Sequence, residues 1–356
     1  MTAPTGSSRV RRSCGRLAVI ALLAGGCAHG YAGYVPAGAW EPDNDGGHPG
    51  LERVVALADS LATTSMMIVH RGRVAAGYGD LTEGGYIASA RKSVLAMLYG
   101  PYVEDGTVPL DDNLAALGID DVGGLLHRER TATVRDLLAA RSGVYHPAAN
   151  GGDDTEFAPA RGSKAPGSFF LYNNWDFNAL GAILERATGR DVFDLLDARL
   201  ARPLGMQDHD PERHWKAHDT ARSVYPAYHM VLSTRDMARI GLLMLRDGRW
   251  GDEQIVPADW TRTISRLVTP RADLNPPELR AGPFGYGYLW WVFDDPELPE
   301  ALHGAYTAVG AFGQFITVIP SLDVVVAHKA RVPPYDQEVT EAEYLTLLRA
   351  VIDAFH

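Results

Sequence analysis

The sequence predicts an α+β fold whose antiparallel sheet is assembled from the two ends of the chain, with flanking helices and a helical insertion between the sheet segments. Two observations carry this prediction. Short apolar stretches with the alternation of β-strands occur near the N-terminus and again towards the C-terminus, and the pattern from Ser89 to about Leu200 is mostly helical, broken by long loops rich in Gly and Pro. About 310 residues remain once residues 1–49 are set aside, enough to bury a large core.

The first 27 residues have the composition of an export signal, which predicts that the protein leaves the cytoplasm. Four arginines precede the apolar run 17–24, which is too short to span a bilayer, and small residues lead to Cys27. The ending before Cys27 is similar to a bacterial lipobox, so two outcomes stay open: a lipid anchor at Cys27 in the cell envelope, or cleavage to a periplasmic or secreted protein. Residues 28–49, rich in Gly, Pro and Asp, are predicted to be a flexible tether.

The remaining chain, residues 50–356, is predicted to be one domain, with its sheet part in 50–88 and 225–356 and its helical part in 89–224. The stretch 51–61 has helical spacing, and 65–79 predicts a β-hairpin around Arg71-Gly72. Ser233 or Thr234 is expected to cap a helix. The stretches 286–293, 313–320 and 322–328 are each expected to form a strand, and residues 343–355 a closing amphipathic helix.

Composition excludes several functions. The net charge of −11 becomes more negative once the leader's arginines are removed, which argues against nucleic acid and anionic membranes as partners. Both cysteines, Cys14 and Cys27, lie in the leader, so the domain has neither a disulfide nor a thiol nucleophile. No cofactor is predicted. His209, His214 and His218 include an i, i+4 pair but lack the glutamate of a His-Glu-x-x-His site, so no metal site is predicted.

Ser89 and Lys92 are the first candidate catalytic residues. They stand three positions apart where an irregular stretch becomes an apolar helical pattern, and residues at this spacing share a helix face. A serine hydroxyl needs a neighbouring base, and a lysine serves as one when burial or a nearby cation lowers its pKa. The alternative is a helix-capping serine with a surface lysine.

Tyr172 and Asn174, in a loop before a predicted helix, supply the second element. Ser89-x-x-Lys92 followed by Tyr172-x-Asn174 resembles the serine β-lactamase-related hydrolases: class C β-lactamases, D-alanyl-D-alanine carboxypeptidases, family VIII esterases and 6-aminohexanoate-dimer hydrolases. The resemblance implies that Ser89 is acylated, that Lys92 takes or shares its proton and that Tyr172 passes the proton to the leaving group. It also implies that Asn174 binds the substrate amide or Lys92. Whether Lys92 or Tyr172 is the formal base stays open.

The third motif of this family, Lys-Thr-Gly or a His variant on the strand that walls the site, is missing. Aligned on Phe312-Gly313, the motif positions fall on Ala305, Tyr306 and Thr307, with no cation unless a gap brings His303 into place. This absence argues against an efficient β-lactamase, because the cation normally fixes a substrate carboxylate.

The small residues of the wall strand would still let a substrate lie along its edge. The expected substrate contacts there are Gly310 and the N–H of Ala308, the latter paired with that of Ser89 as an oxyanion hole.

These observations predict an exported serine hydrolase that acts through an acyl-enzyme on small-molecule amides or esters, with linear amides slightly favoured. Two alternatives remain. The first is a β-lactamase or D,D-peptidase, and the second is a catalytically silent envelope protein that keeps the fold for binding.

Overall fold

A seven-stranded antiparallel sheet is the centre of the computed structural model, which describes residues 33–43, 48–332 and 337–355. The predicted signal peptide and both cysteines lie outside these residues. The chain from residue 33 onwards forms one unit. The strands are β1 Thr63–His70, β2 Arg73–Gly79, β3 Gly85–Tyr86, β4 Trp215–Asp219, β5 Ser223–His229, β6 Val231–Leu232, β7 Arg249–Trp250, β8 Glu253–Gln254, β9 Phe284–Tyr286, β10 Trp291–Phe293, β11 Tyr306–Gly310, β12 Gln314–Ile319 and β13 Val324–Ala330.

The order in the large sheet is β2-β1-β13-β12-β11-β10-β9, so the N-terminal hairpin pairs with the last strand of the chain. This confirms the predicted α+β fold with a sheet built from terminal segments. Three two-stranded pairs stand apart from it: β3 with β6, β4 with β5, and β7 with β8.

Helices cover both faces of the sheet. They are α1 Leu51–Ser60, α2 Ala90–Glu104, α3 Val134–Leu138, α4 Asn174–Thr188, α5 Val192–Leu196, α6 Arg202–Leu204, α7 Thr234–Leu245, α8 Ala258–Ser265 and α9 Glu341–Phe355, with a π-helical turn at Asp197–Ala201 between α5 and α6. Alternate residues of a strand point to opposite faces. On β1, Met67 and Val69 accordingly join the core under α2 and α7, whereas Met66 and Ile68 join a second core under α1 and α9.

Local sequence signals explain most of these elements. Ser233 caps α7 by accepting the N–H of Asp236, as predicted, and Asn173 caps α4 by accepting that of Trp175. One prediction was wrong: residues 286–293 are not one strand. β9 ends at Tyr286 and β10 begins at Trp291, because the chain turns at Leu289, which has a φ of +60°.

Part of the predicted tether is packed against the domain. Pro42 forms a parallel bridge with Val74 of β2, and the indole of Trp40 donates to the carbonyl of Arg235. The buried guanidinium of Arg239 donates to the carbonyl of Gly38. Residues 33–43 are thus held by backbone and side-chain hydrogen bonds that composition alone does not reveal.

No helix among the residues described here is both long and apolar enough to cross a membrane.

Candidate active site

Ser89 lies at the turn that leads from β3 into α2. The short pair β3–β6 and the N–H of Ile87, which donates to Met230 O at 3.1 Å, fix the chain just before it. Ala88 adopts a left-handed backbone with a φ of +47°, a strained conformation for a residue with a side chain. Ser89 is the N-cap residue of α2, yet its hydroxyl accepts no bond from the helix backbone. The helix-capping alternative therefore does not describe this serine.

Lys92 instead contacts that hydroxyl. Its Nζ lies 2.9 Å from Ser89 Oγ and 2.6 Å from the phenolic oxygen of Tyr172, so one amine connects the two hydroxyl groups. The lysine is 1 % exposed, and its amine lies 4.5 Å from the ring centre of Phe177. The alternative of a surface lysine is thus wrong.

The surroundings of Lys92 favour its neutral form. Burial lowers the pKa of the amine well below its usual value, and the neighbouring guanidinium of Arg91 lowers it further. Asp153 and Asp154 act in the opposite direction but contribute less. Because the pKa is held down, the amine has a free lone pair under conditions where an exposed lysine is charged.

Tyr172 reaches the site from a loop that precedes α4. The N–H of Asp154 donates to its carbonyl at 3.0 Å, and its ring stacks on Trp291 at 5.7 Å between centres. Burial raises the pKa of the phenol above its usual value, although a hydrogen bond with Ser89 and the charge of Arg91 lower it in part. The phenol therefore keeps its proton at neutral pH, which favours Lys92 over Tyr172 as the initial base.

Asn174 begins α4, where its side chain contacts the preceding loop. Its backbone N–H donates to Asp153 Oδ2 at 2.9 Å, and its Nδ2 donates to the carbonyl of Gly151 at 2.8 Å. Its Oδ1 is buried and has no hydrogen-bond partner within the described ranges. A role for that oxygen towards a substrate amide stays a proposal.

Strand β11 runs against the turn that carries the serine, and Gly310 makes the closest approach. A Cβ on Gly310 would lie 2.4 Å from the carbonyl oxygen of Ile87 and 3.1 Å from the N of Ala90. Only glycine allows the strand to come this near. If the glycine of the wall-strand motif is the residue at this contact, the motif corresponds to Ala308, Val309 and Gly310.

This placement of the motif lies three positions later than the one inferred from the sequence. The sequence alignment was anchored on Phe312-Gly313, and it could not show which residue of the strand contacts the turn at Ser89. The later placement does not restore a cation. His303 precedes Tyr306, the first residue of β11, and so lies beyond the end of the strand that is remote from Ser89. It lines a cavity with Asp294 and Asp295, and it does not substitute for the missing lysine.

The orientation of β11 bears on the oxyanion hole. The carbonyl of Ala305 accepts from the N–H of Phe293 on β10, and backbone groups alternate in direction along a strand, so the N–H of Ala308 points towards β12. Because this N–H points towards β12, the structure disfavours Ala308 as the predicted donor of the oxyanion hole. The N–H groups of Ser89 and Ala311 donate no hydrogen bond to any described residue, which makes Ala311 the better second donor.

Arg91, Asp153 and Asp154 are the residues near the site that sequence reasoning missed. Arg91 stands inside the Ser-x-x-Lys motif, but nothing in the sequence indicates that its side chain is buried. The two aspartates lie about twenty positions before Tyr172 in a loop, and only tertiary structure brings their charges near Lys92. Of the four aromatic residues in 286–291, Tyr286, Tyr288 and Trp290 are buried in the core. Tyr286 and Trp291 are the two whose rings approach that of Tyr172.

The three histidines considered as metal ligands do not share a helix. His214 directly precedes β4, and His218 is inside that strand. Their i, i+4 spacing therefore has no helical meaning.

Comparison with known proteins gives a match to the sequence model of the Beta-lactamase family over residues 51–350. A solved structure from Bacillus anthracis that carries the name of a 6-aminohexanoate-dimer hydrolase superposes with a TM-score of 0.65 at 18% identity, covering 91% of this chain and 87% of the other. A β-lactamase from Mycobacterium bovis superposes with a TM-score of 0.59 at 18% identity, with 85% and 99% covered. An uncharacterised protein of Alkalihalophilus pseudofirmus is 23% identical over 67% of this chain and 71% of its own length.

Proposed function

Because the chain belongs to the β-lactamase family, we propose that it is a serine hydrolase in which Ser89 is acylated by small amides or esters and the acyl group is released to water. The observation that carries this proposal is the single buried amine of Lys92, in hydrogen-bond contact with both Ser89 Oγ and the phenol of Tyr172. Membership of the family supports hydrolase chemistry in general. The three residues and the substrate class are the proposed part.

Acylation begins when Ser89 Oγ attacks the carbonyl carbon of the substrate. The hydroxyl proton moves to the neutral amine of Lys92, a new C–O bond forms, and the carbonyl electrons move onto the oxygen. The N–H groups of Ser89 and Ala311 are the proposed donors to that oxyanion. Preorganised donors of this kind stabilise the charge only as it develops in the transition state.

Collapse of this intermediate breaks the bond to the leaving group, which needs a proton. The ammonium of Lys92 supplies it through the Tyr172 hydroxyl, which donates to the leaving nitrogen or oxygen and is reprotonated by Lys92. In the second half of the cycle water attacks the acyl carbon, gives its proton to the same pair, and regenerates the Ser89 hydroxyl.

The wall strand separates the substrate alternatives. β-Lactams and D-alanine-terminated peptides carry a carboxylate, and neither Ala308 nor its neighbours on β11 supply a cation to fix it. This favours linear amides and esters over the alternative of a β-lactamase or D,D-peptidase. The Bacillus anthracis structure, which has a similar fold, is named for hydrolysis of an amino-acid dimer, and such a dimer is a linear amide. This likeness is one of fold, and it supports linear amides as the proposed substrates only through the fold.

The experiment is the intact mass of the protein after incubation with a fluorophosphonate, p-nitrophenyl esters, short linear amides and a panel of penicillins. The expected result is a covalent adduct on Ser89 with the fluorophosphonate and turnover of an ester or amide, while penicillins react slowly or not at all. Ser89→Ala must abolish labelling, and Ser93→Ala, which changes a buried serine of the same helix, must not. Wild-type protein that resists the fluorophosphonate would leave only the silent binding protein.

Export is also part of the proposal. The leader supports a signal peptide, and Cys27 supports a lipid anchor as one of two destinations. Replacement Cys27→Ala is expected to move the protein from the membrane fraction to the soluble envelope fraction. Unchanged fractionation would exclude the anchor.

A further inference from the structure

A second group of reactive side chains lies at the opposite end of the sheet from Ser89. It consists of Asp43, His48 and His70, and we name it the Asp-His-His cluster. His70 ends β1 and pairs with Val324, whereas the serine's end of the sheet is where Gly310 pairs with Gln314. The cluster is therefore separate from the proposed catalytic machinery.

Three different segments bring the cluster together. Asp43 belongs to the N-terminal segment beside β2, where its N–H donates to Val74 O at 2.8 Å. His48 directly precedes the turn into α1, and His70 is the last residue of β1. Sequence reasoning missed this group because Asp43 and His48 lie in a segment that was expected to be a flexible tether, and His70 lies in a strand further along the chain.

The ligand atoms converge on a common point. Asp43 Oδ2 lies 3.2 Å from His48 Nε2 and 2.9 Å from His70 Nδ1, and all three atoms lie within 4.8 Å of one another. Four ligands around zinc at metal distances of about 2.0–2.1 Å are separated from each other by about 3.3 Å. Two edges of this triangle thus already have nearly the required length, and the two imidazoles need only a small approach.

The surroundings hold the imidazoles in place. The ring of Phe355, near the end of α9, packs against both histidines, with centre distances of 4.3 Å to His48 and 4.8 Å to His70. His70 is 6 % exposed, and the Asp43 carboxylate is similarly shielded from solvent. Among the residues that the structure describes, this is the only group of three such side chains with its ligand atoms so close together.

We propose that the Asp-His-His cluster binds one divalent transition-metal ion of the zinc type. Ions of this type bind well to two imidazole nitrogens and one carboxylate oxygen. Mg²⁺ and Ca²⁺, in contrast, favour sites made of oxygen ligands. The bound ion cross-links the N-terminal segment, the start of α1 and the end of β1. Its role is structural: it holds the chain that leads from the export signal onto the folded domain.

The test is calorimetric titration of the metal-stripped full-length chain with Zn²⁺, together with thermal unfolding with and without Zn²⁺. Wild-type protein is expected to bind one equivalent and to unfold several degrees higher with the metal, because a ligand of the native state alone stabilises it. Mg²⁺ and Ca²⁺ are expected to do neither. Loss of one ligand is expected to weaken zinc affinity by at least about 100-fold, more than the loss of a residue that merely orients a ligand.

His48→Gln and His70→Gln are the two informative variants, and His48, only partly buried, is the one that preserves folding best. The matched controls are His127→Gln, on an exposed loop, and His209→Gln, which removes one member of another close histidine pair. Both controls are expected to keep full affinity. No zinc binding by wild-type protein, or binding that depends on His209 and not on His48, would overturn the proposal. Hydrolysis of p-nitrophenyl esters should be the same in all four variants, so the result does not depend on the proposed catalysis.

Discussion

The amine of Lys92 lies 2.6 Å from the phenolic oxygen of Tyr172, although eighty positions separate the two residues in the chain. The contact joins helix α2 to the loop before α4, and the same amine lies 2.9 Å from Ser89 Oγ. A proton can thus move from serine to lysine and on to tyrosine without any side chain travelling.

Replacing Lys92 with methionine keeps an unbranched side chain, one atom shorter, and removes the base. Loss of a general base costs typically about 10²–10⁴-fold in rate, so acylation by a p-nitrophenyl ester is expected to fall by that factor. The melting temperature should not fall, because the substitution removes a buried amine whose desolvation costs free energy on folding. Lys164→Met, which changes a half-buried lysine whose amine lies over the ring of Phe169, is the control. A near-normal acylation rate for Lys92→Met would mean that the amine is only structural.

Tyr172→Phe removes the hydroxyl that accepts from Lys92 but keeps the ring stacked on Trp291. Acylation is expected to slow by about 10²-fold or more, with the larger effect on amides, because a poor leaving group depends most on the proton that it receives. Stopped-flow acylation with an ester and an amide of the same acyl group measures the difference. Tyr145→Phe removes a buried hydroxyl that has no hydrogen-bond partner among the described residues, and it should leave both rates unchanged.

The pH dependence of kcat/KM should respond in opposite directions to two neighbouring charges. Activity requires the neutral amine, so the rate rises with pH through the pKa of Lys92. Arg91 lowers that pKa, and Arg91→Met is therefore expected to move the acid limb of the profile to higher pH. Asp154 raises that pKa, so Asp154→Asn should move the limb to lower pH.

The Asp154 carboxyl is itself shifted, since burial raises its pKa to about 6. Wild-type profiles should accordingly show the ionisation of Asp154 in addition to that of Lys92, and the Asp154 ionisation should disappear in Asp154→Asn. Arg91→Lys retains the positive charge and is expected to restore most of the wild-type profile. Shifts in the same direction for Arg91→Met and Asp154→Asn would contradict the electrostatic account.

Gly310→Ala places a methyl group 2.4 Å from the carbonyl oxygen of Ile87, a distance that the backbone must relieve by moving. Strand β11 would shift away from the serine's turn and displace the N–H of Ala311. Losing one oxyanion donor costs about 10²–10³-fold in kcat, and a drop of this size is expected. Gly38→Ala, where the added methyl group meets no atom within 4 Å, is the control. Wild-type kcat in Gly310→Ala would show that the close approach is not needed.

His328 makes the fold sensitive to acid. The ring is fully buried, with one nitrogen 2.8 Å from the carbonyl of Gly313 and the other 2.9 Å from Thr63 Oγ1, and burial lowers its pKa to about 4. The unfolded chain has a histidine pKa near about 6.5 and therefore binds more protons than the folded chain between these values. The contribution of His328 to the free energy of unfolding is fully present above about pH 6.5. It is lost as the pH falls towards 4, by up to about 1.4 kcal/mol per pH unit.

Urea unfolding between pH 7 and pH 4.5 measures this effect. His328→Gln is expected to lower the free energy of unfolding at pH 7, because the hydrogen bonds of the ring to Gly313 and Thr63 are lost or weakened. The slope of the free energy of unfolding against pH should also decrease by the contribution of one proton. His127→Gln, an exposed histidine, should keep the wild-type slope. An unchanged slope in His328→Gln would show that the ring titrates normally.

The sequence by itself determined the class of fold and most of the elements, and it singled out the serine, lysine and tyrosine that are proposed as the catalytic residues. These follow from local rules: alternation for β1 and β13, a Ser233 cap for α7, and the spacing of Ser89 and Lys92 on one helix face. Local periodicity did not reveal the turn at Leu289 that divides β9 from β10.

Tertiary structure alone decided the environment of those residues. Burial of Arg91, the approach of the Asp154 loop to Lys92 and the contact of Gly310 with the serine's turn all join segments that are distant in the chain. The packing of residues 33–43 and the convergence of Asp43, His48 and His70 arise in the same way. Electrostatic fields and close contacts depend on distances in space, and a single sequence specifies such distances only between near neighbours.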